Sequence, residues 1–397
     1  MLPNGWKKVK LGDCFDVQLG KMLNKNAREQ KPQYPYIANV NVRWGSLNTE
    51  QLPTMYFSER EKEKFALKKD DILMCEGGEI GRCSVLKESL NNVFYQKACH
   101  RLRAKNNLCT PDFLYFYINN YVTSREIVGL VGESSIAHLP AEKVVQIQLN
   151  LPPLEEQKKI AATLSVWDSA IEKMEKLIEA KSHNFKLLME KLVVKQSLKK
   201  QTKTYSIKEL FDVVNRKNKV GNTNVLTSSA QYGLVNQQEY YKKSIASSDI
   251  SGYYLLEKGD FAYNRSYSTG YPYGVIKRLD KYESGVLSTL YLCMTLKKDY
   301  RSLSDYFVFL FESGYLNNQL ALICREGARN HGLLNVSKDD FFNMKVQLPS
   351  EKEQQNIVCI LQNHSCELSL LKQQLENYKK QKQGLMQKLL TGQWRVK

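Results

Sequence analysis

"LPPLEEQKKI", from Leu151 to Ile160, returns as "LPSEKEQQNI" from Leu348 to Ile357, an offset of 197 residues. If the two stretches open equivalent helices, the apolar positions behind them recur at that offset, and they do. The first series reads Ile160, Leu164, Trp167, Ile171, Met174, Ile178, Lys181, Phe185, Leu188 and Leu192, in alternating steps of four and three. The second reads Ile357, Leu361, His364, Leu368, Leu371, Leu375, Tyr378, Lys382, Leu385 and Leu389. This spacing is that of a coiled-coil seam, so it predicts two long helices, each roughly 40 residues or about 60 Å at 1.5 Å per residue. Pro152 and Pro153 suit a first turn, where a missing N–H costs little, and Glu155 and Glu156 lie where the helix dipole favours negative charge. Ser350 and Glu353 spell a capping box, and Gly392 is a natural stop for the second helix.

The repeat extends upstream. "CFDV" (Cys14–Val17) matches "LFDV" (Leu210–Val213), "KKDDIL" (Lys68–Leu73) resembles "LEKGDF" (Leu256–Phe261), and "PDFLYFYI" (Pro111–Ile118) resembles "SDYFVFLF" (Ser304–Phe311). Immediately before the helices, "HLPAEKVVQIQLNLP" from His138 parallels "NVSKDDFFNMKVQLP" from Asn335, again at 197. The chain therefore reads globular unit, helix, globular unit, helix, with boundaries expected at 1–152, 153–200, 201–349 and 350–397. Short apolar runs split by Gly and Tyr predict strands with tight turns, and the aromatic octapeptides predict short buried helices. The fold class is α/β (α+β): two similar units separated by two long helices packed as an antiparallel coiled coil, an internal pseudo-two-fold repeat. Between the matched islands the units share little, as one scaffold carrying two different surfaces would.

A length of 397 residues suits two domains, and 42% hydrophobic with 10% aromatic residues excludes a disordered polymer. A net charge of +17 makes a polyanion the first partner to consider, nucleic acid before an anionic membrane. The sequence has neither an 18-residue apolar run nor an apolar signal core behind "MLPNGWKKVK", and its nine cysteines form no CxxC pair, so reduced cytoplasmic thiols are expected. Catalytic constellations are missing too. There is no P-loop, and "CEGGEIG" (Cys75–Gly81) reads as a strand turn rather than a cofactor loop. No Asn/Asp-Pro-Pro-aromatic tetrapeptide of an amino-methyltransferase occurs, and Glu156-x-Lys158 lies in a helix's first turn with no acidic strand partner beside it. Five scattered histidines give metal hydrolysis little support, so no cofactor and no metal are expected.

Two variable basic units, each followed by a helix opening Leu-Pro-x-x-x-x-Gln, resemble the specificity subunit of type I restriction-modification systems. The sharpest marks are "LPPLEEQKKIAATLSVWD" (Leu151–Asp168) and "QGLMQKLLTG" (Gln383–Gly392), and the resemblance covers essentially the whole chain. It implies a non-catalytic DNA reader with two target-recognition domains, each reading half of a split double-stranded site. It also implies two docked methyltransferase subunits that methylate adenine N6, with motor-nuclease restriction subunits joining for cleavage. Internal duplication suits that role, because one chain then addresses two half-sites as a dimer would, yet with unlike surfaces.

Base reading calls for Arg and Lys on guanine and Asn and Gln on adenine, in loops beside rigid strands. The first unit offers Asn39, Asn41, Arg43, Trp44, Arg82, Gln96, Lys97, His100, Ser135 and His138. The second offers Ser228, Ser229, Gln231, Tyr232, Asn264, Arg265, Ser266, Tyr267, Tyr271, Arg325, Arg329, Asn330 and His331. Two rival readings stand beside this one: a recognition chain of a fused or two-chain restriction endonuclease-methyltransferase with catalysis of its own, and a basic coiled-coil scaffold that binds nucleic acid without sequence choice.

Overall fold

The computed structural model describes residues 2–130, 138–195, 202–241, 249–267, 270–324 and 334–396. It divides into two compact units, Met1–Glu175 with Gln373–Lys397, and Lys176–Lys372.

In the first unit, β1 (Lys7–Lys10) precedes an antiparallel sheet of β2 (Phe15–Leu19), β3 (Ile72–Cys75), β4 (Cys83–Val85) and β5 (Cys99–Ala104), ordered β2-β5-β3-β4. Helix α1 (Pro111–Thr123) follows, and β6 (Gln148–Leu151) pairs back on β1 with Lys7 opposite Leu151. The β3 sequence, ILMC, is buried at all four positions. Alternate side chains leave a strand on opposite faces, and here both faces are covered. Ile72 and Met74 join Phe113, Leu114 and Phe116 of α1 in one core; Leu73 and Cys75 join Ile37, Phe57 and Phe94 in another. The second core lies against an inserted sheet of Gln33–Ile37, Thr54–Tyr56 and Phe94–Tyr95. Two-sided burial is why the strand is an unbroken apolar run rather than an alternation.

The second unit repeats the plan. After β7 (Lys203–Ser206), a sheet of β8 (Phe211–Val213), β9 (Phe261–Asn264), β10 (Val275–Arg278) and β11 (Leu292–Leu296) takes the order β8-β11-β9-β10. Helix α3 (Ser304–Glu312) follows, and β12 (Lys345–Leu348) pairs with β7. The matched sequence islands fall on matched elements, and the turn before the central strand agrees in detail. Asp71 accepts the Lys68 N–H at 2.8 Å, and Asp260 accepts the Glu257 N–H at 2.8 Å. The residue ahead of each carboxylate is left-handed, Asp70 at φ 69° and Gly259 at φ 94°. What differs is inserted: the second unit carries the ladders Leu226–Ser229 with Gly233–Asn236 and Tyr254–Glu257 with Ser284–Leu287 instead.

The long helices are α2 (Leu154–Met189) and α4 (Glu351–Leu390). Each core takes the start of one and the end of the other. In the first unit Ile160, Ala161 and Leu164 pack with Met386, Leu389 and Leu390; in the second Ile357 and Leu361 pack with Met189 and Val193. The helices run antiparallel within each unit. Trp167 meets Tyr378 edge-on at 5.9 Å, Asp168 holds Lys382, and Glu175 holds Lys379 at 2.8 Å, while in the second unit Lys181 holds Glu367 at 2.7 Å. Of the apolar seam positions, Ile171, Met174, Ile178, Phe185, Leu188, Leu192, Leu371 and Leu385 are half-buried, and Leu368 and Leu375 are buried. His364 is exposed, with its ring 4.0 Å from Glu367, so the stripe is broken there.

The motif glutamine explains the opening repeat. Gln157 is wholly buried; its Nε2 donates to the carbonyls of Leu108 (2.8 Å) and Pro152 (2.9 Å), and its Oε1 accepts from Thr110 N (2.9 Å), the N-cap of α1. Gln354 repeats only the bond to the preceding proline, donating to Pro349 O at 2.8 Å. Ser350 and Glu353 close the expected capping box, and Gly392, at φ 75°, ends α4. Beside Gln157, Glu156 is gripped by both arms of Arg395 (2.5 and 2.7 Å) and by Trp6 Nε1 (3.3 Å).

A buried polar group stripped of its partner costs about 1–3 kcal/mol. Gln157→Leu strands three backbone groups and Gln354→Leu one. Urea unfolding should therefore show a loss of about 3 kcal/mol for Q157L, read by tryptophan fluorescence, and roughly 1 kcal/mol for Q354L, read by circular dichroism. Equal losses would refute the anchoring role given to Gln157.

Candidate nucleic-acid interface

Part of each set of candidate residues lies where the central strand of a sheet ends. In the first unit β3 runs into the turn Glu76–Arg82, closed by Gly81 N on Cys75 O (3.0 Å) and Cys75 N on Arg82 O (2.8 Å). Positive φ at Gly78 (75°) and Gly81 (80°) makes the turn, so the glycine-rich stretch is a strand turn as its spacing suggests. Arg82 reaches from it to Asn39 O (2.9 Å) and pairs with Glu79 (2.5 Å). Gly77 bridges to His138, and Leu139 N donates to Glu76 O (3.0 Å). Asn39, Arg82 and His138 are thus brought to one turn. Gln96 and Lys97 lie at the start of β5, with Gln96 N bonded to Ile37 O (3.0 Å).

The hairpin Val42–Arg43 with Ser46–Leu47 carries Arg43 exposed and Trp44 half-buried, its ring 6.5 Å from Tyr115. Two candidates are turned inward. Asn41, 6% exposed, caps Ala38 N (3.0 Å) and donates to Asn48 O (3.2 Å), which makes it a loop-forming residue. His100 is fully buried, and its Nε2 lies 2.7 Å from Leu139 O. A side chain without exposure offers nothing to a groove, so His100 is corrected to a structural residue. Its Nδ1 has no partner, and burial pushes the imidazole's pKa below its ordinary value against the opposing effect of the Leu139 bond.

In the second unit Gln231 and Tyr232 are exposed at the tip of the Leu226–Ser229 and Gly233–Asn236 hairpin. Ser228 is half-buried; Ser229 is buried and accepts the Tyr232 N–H at 3.2 Å. Asn264 ends β9 and accepts Ser266 N (3.1 Å), and Tyr267 is exposed. The Tyr271 hydroxyl is committed to Glu312. Arg265 donates to Leu290 O from Nε (3.2 Å) and Nη2 (2.8 Å) and to Val336 O from Nη1 (3.2 Å). Its guanidinium is thereby clamped, which suits a fixed charge better than a base-reading fork. Ser135, Arg325, Arg329, Asn330 and His331 lie outside the described residues.

Sequence reasoning passed over Tyr240 and Tyr241, both exposed; the Tyr240 ring lies 6.4 Å from Tyr232 and 4.8 Å from Tyr241. It also passed over Lys338, which the offset of 197 sets against Ala141 and so marks as a difference between the units. Among the described residues no cluster of His, Cys, Asp and Glu is placed to hold a metal ion, and no helix is long and apolar enough to cross a membrane.

Residues 3–182 and 199–379 match a family model described as the type I restriction modification DNA specificity domain. Along its whole length the chain is 23% identical to the type I restriction enzyme MjaVIII specificity subunit of Methanocaldococcus jannaschii, covering 94% of that protein. It is 22% identical to the putative MjaX specificity subunit of the same organism, covering 95%. Among solved structures, the type I restriction-modification S subunit from M. genitalium aligns with a TM-score of 0.55 at 18% identity over 98% of each chain. A chain from a structure concerned with complex assembly and conformational transition of the type I R-M system aligns at 0.60 with 15% identity, again over 98% of each. The structural likenesses speak for the fold.

The depressed His100 pKa gives a sign to acid stability. Below about pH 6.5 the unfolded state takes up a proton that the folded state refuses, so stability present above that pH is lost as pH falls towards the folded-state value. His100→Gln removes this component while keeping a donor for Leu139 O. The stability gap between wild type and H100Q should narrow between pH 7 and pH 5, by at most about 1.4 kcal/mol per pH unit. A gap that stays constant across that range would refute the buried neutral histidine.

Proposed function

The chain belongs to the type I restriction-modification DNA specificity family, and from that premise we propose that its two units read the two halves of one split duplex site. Residues 1–152 and 201–349 are the reading domains in this account, and 153–200 and 350–397 the spacer helices. Specificity subunits of these systems are themselves non-catalytic and serve an assembly. Two methyltransferase subunits dock on this chain and methylate adenine N6 at the site it selects; restriction subunits join for cleavage.

The observation that carries this reading is one scaffold written twice with unlike insertions. Identical strand orders, identical Asp-capped turns and matched helix starts support a common frame, while the inserted hairpins and turns carry most of the exposed polar and aromatic candidates. Phosphate contacts would fix register and supply salt-dependent affinity, and base-edge contacts would supply choice. Arg43, Lys97 and His138 in the first unit and Gln231, Tyr232 and Tyr267 in the second are the exposed groups best placed for contact.

Single-molecule methylome sequencing of the native host, with and without this gene, tests the proposal. Deletion should abolish N6-methyladenine at one split motif with a fixed gap. Exchanging residues 202–349 for the corresponding segment of another specificity subunit should then alter one half-site and leave the other and the gap unchanged. A methylome indifferent to the deletion, with the chain and its methyltransferase both expressed, would overturn the reading.

A further inference from the structure

The second unit contains a cavity of about 140 Å³ at the end of β9, lined by Arg265, Lys338, Asn215, Thr289, Tyr254 and Tyr291 among others. Among the described residues no acidic side chain lines it. The volume far exceeds the roughly 15 Å³ that one water needs, so there is room for a small polyatomic group.

One of its two lining charges is fixed rather than incidental. The clamp on Arg265 uses three of the five N–H groups of a guanidinium and leaves donors free, and every acceptor is a neutral carbonyl. Lys338 is exposed, and its ammonium has no hydrogen-bond or ion-pair partner among the described residues. A third cation backs the wall: Lys217 Nζ lies 4.1 Å from the centre of the Tyr254 ring while donating to Gly252 O at 2.8 Å. Of the nearby carboxylates, Asp340 is engaged by Ser337 and Asp260 by Arg216, while Asp339, next to Lys338 in sequence, is exposed.

The scaffold itself does not require these cations. Cys75 and Asn264 both end the central strand, so the next residue, Arg265, corresponds to Glu76 of the first unit. Lys338 corresponds to Ala141 at the offset of 197. The first unit builds the same sheet with an acid and an alanine where the second has two positive charges.

We propose that this cavity is a phosphate seat, and that its occupant is one backbone phosphodiester of the duplex DNA engaged by the second unit. The inference rests on the DNA-reading function above and sharpens it: Arg265 and Lys338 position the duplex, and sequence choice comes from other groups. A tetrahedral anion suits a site lined by two cations, Arg265 and Lys338, with Asn215, Thr289, Tyr254 and Tyr291 as neutral polar residues beside them. A free phosphate or phosphomonoester shares that chemistry, so the test must separate the two sources.

The experiment uses the full chain, assembled with its methyltransferase subunits, and compares wild type, Lys338→Gln and Lys338→Arg. Lys338 is exposed, so K338Q should fold, which circular dichroism checks. Affinity is measured for a duplex carrying the methylated motif and for a scrambled duplex across a salt series. K338Q should weaken both duplexes about equally, roughly three- to tenfold at 0.1 M salt, and should lower the slope of log K against log salt by about 0.9, one phosphate's worth. K338R should restore both. An unchanged slope and affinity in K338Q would overturn the proposal, and so would a loss confined to the cognate duplex, which would make Lys338 a base reader. Titration with inorganic phosphate and AMP supplies the other arm: loss of their binding in K338Q with the DNA slope intact would assign the seat to a free phosphate ligand and overturn the DNA source. If wild type prefers neither duplex yet the slope still falls in K338Q, the seat stands and sequence-specific reading fails.

Discussion

The carboxamide of Gln157, buried between two carbonyls and the amide that caps α1, fixes how the first long helix leaves its sheet. Helix direction in turn decides which residues reach the core. Ile160, Ala161 and Leu164 lie on the face turned inward by that anchor, and Met386, Leu389 and Leu390 complete the same core from the far end of the chain. The first unit therefore has no complete core until its last helix is in place. Arg395 on Glu156 fastens the same junction from the C-terminal side. Contacts so distant in sequence are slow to form, because loop closure must come before the burial that rewards it.

The second junction is looser, since Gln354 keeps only the bond to its proline and its Oε1 is unpartnered. A capping box that the first helix lacks offsets this: Ser350 and Glu353 satisfy one another's backbone N–H groups. The two copies reach the same outcome, a helix held at its first turn against the β-pair that precedes it, by different distributions of hydrogen bonds. Such drift is what a duplicated scaffold shows when shape is retained and individual contacts are free to change.

The scaffold was legible in the sequence because its signals are local or periodic. A seam repeating every 3.5 residues, a capping box, a glycine stop and paired islands in the same order depend on residue spacing alone. The candidate interface was less legible, because exposure is decided by what packs on a residue from elsewhere. In "NVN", Asn39 is half-buried while Asn41, two residues on, is sealed under its own loop. His100 is written among Arg101 and Arg103 like a basic surface strand, yet β5 is an interior strand covered on both sides. Its arginines turn to Asp16 and to Asp71, partners more than thirty residues away. Arg265 illustrates the reverse case: the sequence shows an arginine in a turn, and only the fold shows that its donors are held by Leu290 and Val336.

A protein that must both hold DNA and choose among sequences has to keep the two tasks apart, since a cation free to move binds any phosphate and discriminates poorly. On the proposed reading the second unit would achieve part of this separation by immobilising one charge. Arg265 is held in place by the carbonyls of Leu290 and Val336; its attraction would then be uniform along DNA and add nothing to choice. Choice would then fall to groups with exposed donors, acceptors and ring faces, such as Gln231 and Tyr232 on a hairpin tip. The first unit, with Glu76 and Ala141 at the corresponding positions, carries neither cation there. Two halves that each read part of a site would not need to bind equally tightly, because joining two binding modules in one chain raises the effective concentration of the second once the first is engaged.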